Sequence, residues 1–254
     1  MKKLLTLIMT LLLAVAACFS FTACGDNKTT LSDGKLTIGY TIYAPMNYFN
    51  NNEFVGFDTE LAKAFCEELG VEADFVEINW DNKLIDLEAR SIDCIWNGMT
   101  ITEAIKEKAS VSKAYLENKQ VIVCRAEDAS KFTTKDSIKN ATSIAYEKGS
   151  AGNAVCEDLN VDSSKCNEAT AQRDTLLEVK TGASEIAIID ITMAKVMVGE
   201  GTSYSDLVFV DVGFEVEEFG VAFRKSDEGL AKAFDLFVKY NSVLVESLQA
   251  KYFG

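Results

Sequence analysis

The sequence predicts an α/β fold built from two sets of alternating strands and helices. Short apolar, β-branched runs alternate with amphipathic segments along most of the 254 residues, the pattern of α/β units on mainly parallel sheets. The second set lies between two long apolar strands, residues 120–124 (QVIVC) and 219–223 (FGVAF). About 220 residues remain after a leader-like N-terminus, enough for two lobes or one large domain.

The first strand is residues 36–40 (LTIGY). Residues 56–69 read as an exposed loop entering an amphipathic helix, with Asp58 as candidate N-cap and Glu60 in the first turn, where the helix dipole favours anions. Leu61, Phe65 and Leu69 recur every four residues and form one apolar stripe. Next come a strand at 73–77, a helix at 81–89 and a strand at 93–96. A helix then starts at Glu103, with Thr102 as its N-cap, and leads to the strand at 120–124. The second set contains a strand at 143–146, a helix from Ala151, a helix at 174–181, a strand at 186–189, a helix at 192–198 and a strand at 207–210. After the strand at 219–223 the tail, 228–252, reads as helix.

The N-terminus has the form of a secretion signal. Lys2 and Lys3 precede an apolar run over 4–17, of signal-peptide length. Two cysteines could follow lipoprotein cleavage, Cys18 after Val15-Ala16-Ala17 and Cys24 after Phe21-Thr22-Ala23. Cys24 is the better candidate, because apolar residues follow Cys18 whereas the polar Gly25-Asp26-Asn27-Lys28 follows Cys24. Residues 1–23 are then a lipoprotein signal peptide and 24–34 a flexible tether. The mature chain would be anchored at the outer face of the cell membrane by acyl chains of the palmitate type. A plain secretory signal with an incidental cysteine is the alternative.

The formal net charge is −14, and removing Lys2 and Lys3 makes it more negative. Such a chain is a poor candidate for nucleic-acid binding. The sequence has no histidine, which removes the commonest general base and zinc ligand. No CxxC pair occurs, so no metal site and no cofactor is expected. Cys156 and Cys166 flank a short step from a helix into a loop and are a disulfide candidate in an exported chain; Cys66, Cys94 and Cys124 read as buried thiols.

The order Gly56-Phe57-Asp58-Thr59-Glu60-Leu61-Ala62-Lys63-Ala64-Phe65-Cys66-Glu67-Glu68-Leu69 resembles the signature of the extracellular solute-binding proteins, family 3, that serve amino-acid ABC importers. The resemblance covers essentially the whole mature chain, including the closing Lys251-Tyr252-Phe253-Gly254. It implies a two-lobed periplasmic-binding-protein-like fold of type II, two α/β lobes joined by two hinge strands. Lobe one would comprise 35–122 plus 222–254 and lobe two 123–221, with hinge motion at 124–126 and 217–219. It also implies a monomer that takes a small amino-acid-like ligand between its lobes and delivers it to ABC permease subunits.

Several site residues follow from the resemblance. Tyr43-Ala44-Pro45-Met46, which holds the only proline, resembles the family's Tyr-x-Pro-Phe loop, whose tyrosine covers the ligand; read alone, it is a turn with a half-buried tyrosine. Trp80 matches an aromatic wall and reads equally as core. Together with Tyr43 it could sandwich a flat side chain or clamp a cation. In Asn97-Gly98-Met99-Thr100 the resemblance gives the glycine carbonyl to the ligand's ammonium, and the Thr100 hydroxyl and amide to holding both ends of the ligand. Gly149-Ser150-Ala151-Gly152 lies between a strand and a helix, and the amides at Ser150 and Ala151 suit a carboxylate. Asp190 would pair with an ammonium; read alone, it is a helix N-cap.

One departure matters for the ligand. The family's carboxylate-gripping arginine stands three residues after the position of Thr102, and here that position is Ile105. Lys106 and Lys108 cannot reproduce its fork. Arg173 is a possible substitute, or else an exposed surface arginine. The missing arginine opens the ligand class to an amide, a peptide-like compound or an amine. A dehydratase-like enzyme on the same scaffold, drawing on Glu103, Glu147 or Asp190, and a surface sensor or adhesin are the rival readings.

Overall fold

The computed structural model describes residues 30–254. The expected signal peptide, Cys18, Cys24 and the first part of the expected tether lie outside the described residues. The first sheet contains β1 (Lys35–Tyr40), β4 (Glu72–Glu77), β5 (Cys94–Thr100), β6 (Ala109–Val111), β7 (Leu116–Asn118) and β13 (Glu217–Arg224). Its order is β4-β1-β5-β13-β6, with β7 also on β13. The second sheet has the order β10-β9-β11-β8-β12, from β8 (Gln120–Arg125), β9 (Ile144–Glu147), β10 (Cys166–Ala169), β11 (Ile186–Asp190) and β12 (Leu207–Val210). A hairpin of β2 (Tyr48–Asn50) and β3 (Glu53–Val55) stands apart.

Within each sheet the strands that come from strand–helix units run parallel: β1 with β4 and β5, and β9 with β10 and β11. The other strands run antiparallel, β13 against β5 and β8 against β11. The C-terminal ends of β5, β9 and β11 therefore meet the N-terminal ends of β8 and β13, as the pairs Asp190–Gln120 and Thr100–Phe219 show. Loops and helix starts collect at that edge, where open α/β sheets bind ligands.

Helix α1 (Phe57–Leu69) buries Leu61 and Phe65 as the four-residue stripe requires. Phe65 packs edge-on against Trp96 and Phe234, with ring centroids at 6.1 and 5.4 Å. The helix ends on Gly70 at φ 71°, a left-handed cap that suits glycine. It begins at Phe57 with Gly56 at the cap, two residues before the start that an Asp58 cap implies, so Asp58 is not an N-cap; its carboxylate turns into the protein. The tail is broken at Asn241 into α7 (Glu228–Tyr240) and α8 (Ser242–Phe253). From α8, Lys251 and Tyr252 bond Glu60 on α1. No helix among the described residues is long and apolar enough to cross a membrane.

Three expectations change. Strand β8 pairs with β11 and β12 over its whole length and β13 stays on the first sheet from Glu217. The chain therefore changes sheets at Lys119 and within 211–216, not at 122/123 and 221/222, and 124–126 is not a crossing. The end of the tether is docked: the Thr30 hydroxyl donates to Asp227 and accepts from Arg224, and Leu31 packs on the core. Cys156 and Cys166 are free thiols. Cys156 is buried in α4 (Ala151–Asp158), while the Cys166 thiol donates to the Asp162 carbonyl at 3.7 Å.

Candidate functional site

A cavity of about 300 Å³ opens where the two sheets face each other. Tyr43, Trp80, Asn97, Gly98, Met99 and Thr100 line it from the first sheet's side, and Ser150, Ala151 and Asp190 from the second's.

On the first side, Gly98 sits at φ +56°, and a Cβ there would lie 2.8 Å from the Tyr43 ring. Both the backbone region and the close approach require glycine. Asp58 fixes this point by accepting from the Gly98 amide at 2.7 Å and from the Tyr115 hydroxyl at 2.9 Å. Complete burial outweighs those bonds and pushes its carboxyl up to about 7. The Asn97 side chain is fully engaged with Thr41 and Asn47. It holds the Tyr43 loop against β5, and its amide is committed to that task. Trp80 opens a 3₁₀ turn (Trp80–Asn82), and Lys83, the first residue of α2 (Lys83–Glu88), sets its ammonium 4.8 Å from the Trp80 ring centroid. That ammonium donates to the Trp80 carbonyl at 3.1 Å and, across the cleft, to the Gly149 carbonyl at 2.9 Å. Lys148 and Asp81 make a second link across the cleft at 3.7 Å.

On the second side, Ser150 caps α4 by accepting from the Asn153 amide, as the glycine-rich turn predicts. Gly152 is needed because a Cβ would meet the Ile188 carbonyl at 2.5 Å, so α4 packs directly on β11. Asp190 occupies the cap position of α6 (Ile191–Met197), but its carboxylate caps nothing. One oxygen accepts from Asn118 at 2.5 Å and Gln120 at 2.7 Å, and the other accepts from Gln172 at 2.7 Å. Tyr43's buried hydroxyl lies beside Asp190 without a hydrogen bond of good geometry among the described residues. Desolvation raises the Asp190 pKa, and the three amides and Tyr43 oppose the rise. Glu217 stands behind it, accepting from Thr100, Asn118 and Gln120. Its pKa also rises, through burial and then the charge of Asp190.

Glu147 ends β9 as Asp190 ends β11, and it lines the cavity at 4 % exposure. Its Oε1 is buried and has no hydrogen-bond partner among the described residues. Burial, with the Asp190 charge, pushes this carboxyl up to about 8.

A comparison with known proteins identifies this architecture. Residues 36–254 match the bacterial extracellular solute-binding proteins, family 3. The chain belongs to this family. It is 29 % identical over 242 residues, 93 % of this chain and 91 % of the other, to the arginine-binding extracellular protein ArtP of Bacillus subtilis. Among solved structures, a Streptococcus pneumoniae ABC uptake transporter substrate-binding protein with bound histidine superposes with a TM-score of 0.79 at 29 % identity, covering 89 % of this chain and 94 % of that one. An ancestral amino acid-binding protein, described as a precursor of cyclohexadienyl dehydratase, gives 0.79 at 26 % identity, covering 88 % and 97 %. The neighbours are two-lobed binding proteins, and the chain shares that fold.

In this solute-binding protein one expected site residue falls elsewhere. Arg173 does not reach the cavity. Helix α5 begins at Gln172 (Gln172–Thr181), so Gln172 takes the inward position on Asp190. The next residue is turned about 100° round the helix. Arg173 instead lines a separate groove with Tyr48, Phe49 and Met197, near Asp174 at 3.6 Å. Ile105 does line the cavity, at 8 % exposure, and gives it an apolar wall. Thr102 caps its helix, α3 (Glu103–Lys108), by accepting from the Ile105 amide. Asp58, Lys83, Asn118, Gln120 and Gln172 are the residues the sequence did not single out for the site. For Gln172 and Asn118 no local signal existed. Asp58 lay within the family signature, and only the position of the helix start hid its role.

Proposed function

We propose that this solute-binding protein is the extracellular receptor of an ABC importer, tethered through acylated Cys24, which closes its two lobes on a small amino-acid-like ligand. The single observation that carries the reading is Asp190: a buried carboxylate at a strand end, in a cavity between the sheets, beside Tyr43 and across from Trp80. An ammonium there would gain a charge-assisted bond of about 1.5–3 kcal/mol. The arginine and histidine named for its relatives support an amino-acid-like class. Met99 would form the cavity floor, and Gly98, held by Asp58, would offer backbone to the ligand. The hinge would lie at Lys119 and 211–216, where β7 and the start of β13 pair side by side. The protein acts as a monomer that docks on permease subunits; no covalent chemistry, cofactor or nucleic acid is involved.

A thermal-shift screen against amino acids, amines and short peptides tests the reading, because a ligand that binds only the folded state raises the melting temperature. No response to any of them would refute it. Mass spectrometry of the mature N-terminus tests the anchor, with acylated Cys24 expected and a free N-terminus in culture supernatant as the contrary result. A cleft enzyme is the second reading. Glu147 favours it, since a carboxyl held at about 8 could act as a general acid at neutral pH. Glu103, by contrast, is an exposed partner of Lys106.

A further inference from the structure

We infer that the ligand is a small organic dication, with an amine or guanidinium at each end and no carboxylate, held between Asp190 and Glu147. The inference rests on the receptor reading and specifies its ligand.

The first support is the bare oxygen of Glu147. A buried carboxylate oxygen without a partner is costly, and here the cavity is where a donor can reach it. The nearby cation, Lys83, already donates to the Trp80 and Gly149 carbonyls. The ligand is left to supply the donor.

The second support is the absence of an arginine to grip a ligand carboxylate. Among the described residues no arginine lines the cavity, and Ile105 holds the place where the family's fork would stand. The turn before α4 is partly committed, which leaves an anion only the first amides of the helix, at Ala151 and Gly152. The Gly149 amide donates to Asn153, the Ser150 amide to the Glu147 carbonyl, and the Ser150 hydroxyl accepts from the Asn153 amide. An anion beside this turn would also face the Glu147 carboxylate.

The third support is charge. Glu147 and Asp190 are the buried carboxylates of the cavity lining, Glu157 being exposed and bonded by Asn153, and the half-buried Glu217 shares the Asn118 and Gln120 amides with Asp190. Lys83 is the cation set against Glu147, Asp190 and Glu217. Leaving aside the solvent-exposed Glu157, two negative charges are in surplus when Glu147, Asp190 and Glu217 are all ionised, and a dication balances them. The faces of Tyr43 and Trp80 suit a cation as well. Arginine satisfies half of this description: its guanidinium fits, and its carboxylate does not.

Calorimetry with agmatine, 1,4-diaminobutane and L-arginine decides, with the other common amino acids as a comparison set. Agmatine and arginine differ by the carboxylate alone. Agmatine or the diamine should bind at least about tenfold more tightly than arginine or any other amino acid. Glu147→Gln should weaken that binding at least about thirtyfold, and Ile105→Arg should weaken the amines while improving arginine. Tighter binding of arginine or another amino acid overturns the inference and leaves the receptor reading standing. Failure of every amine and every amino acid to bind overturns both. Unchanged amine affinity in Glu147→Gln, with the variant folded by circular dichroism, overturns the role given to Glu147.

Discussion

Lowering the pH from 8 to 6 will weaken ligand binding, because it protonates Glu147. Burial holds this carboxyl at about 8, with Asp190 on β11 and Asp174 on α5 acting in the same direction, and Lys83 on α2 and the Gln172 amide opposing. An aliphatic amine or guanidinium keeps its charge over this range, its own pKa being about 10 or higher. Only ionised Glu147 can meet that charge fully. Each pH unit below 8 therefore costs up to about tenfold in affinity, and two units up to about a hundredfold, or about 2.7 kcal/mol. Calorimetry at pH 6, 7 and 8, each in two buffers of different ionisation heat, should count close to one proton released per ligand at pH 6 to 7. Glu147→Gln should flatten the slope. The unliganded fold has the opposite trend. Raising the Glu147 pKa from 4.5 to about 8 gives stability that is full below 4.5 and is lost as pH rises through 8. Asp58, raised from 3.8 to about 7, adds to this loss over a lower window. The unliganded melting temperature should thus fall between pH 5 and 8 while the ligand-induced rise widens. An affinity constant from pH 6 to 8, with no proton release, would refute the reasoning.

Other perturbations separate binding from folding. Asp190→Asn keeps two of the three amide bonds and removes the charge, so calorimetry should show at least about a thirtyfold loss of affinity; full affinity would reduce Asp190 to a structural group. Asp190→Ala should in addition melt earlier, since the Asn118, Gln120 and Gln172 amides lose their acceptor at about 1–3 kcal/mol for each one left unpaired. Gly98→Ala puts a methyl 2.8 Å from the Tyr43 ring at φ +56°, and should cost about 1–3 kcal/mol of stability together with measurable affinity; a neutral variant would contradict the packing argument. Small-angle scattering should show a smaller radius with saturating ligand, the lobes being bridged across the cleft by the Lys83–Gly149 and Lys148–Asp81 links; an unchanged profile with proven binding would contradict the hinge.

Much of this was legible in the sequence because it is local. The strand–helix alternation, the Thr102 and Ser150 caps and the apolar stripe of α1 all depend on neighbours a few residues apart. Tyr43, Trp80, Gly98 and Asp190 were placed by their resemblance to a family pattern, and the structure brings them to one cavity. What escaped depends on long-range contacts or on a single residue of phase. Asp58 reaches Gly98 across 40 positions and Asn118 reaches Asp190 across 72. The start of α5 at Gln172, rather than two residues later, turns Arg173 out of the cleft and Gln172 into it. Sheet changes at Lys119 and 211–216 were hidden because apolar strands on either side of a crossing look alike in sequence.

The most direct test of the account is a crystal structure of the protein with its tightest-binding amine or amino acid. The account predicts ligand between the lobes, stacked by Tyr43 and Trp80, with one cationic nitrogen within hydrogen-bond distance of Asp190 and a second at the free oxygen of Glu147. Ligand bound outside this cavity, or within it with no cationic nitrogen at Asp190, would contradict it.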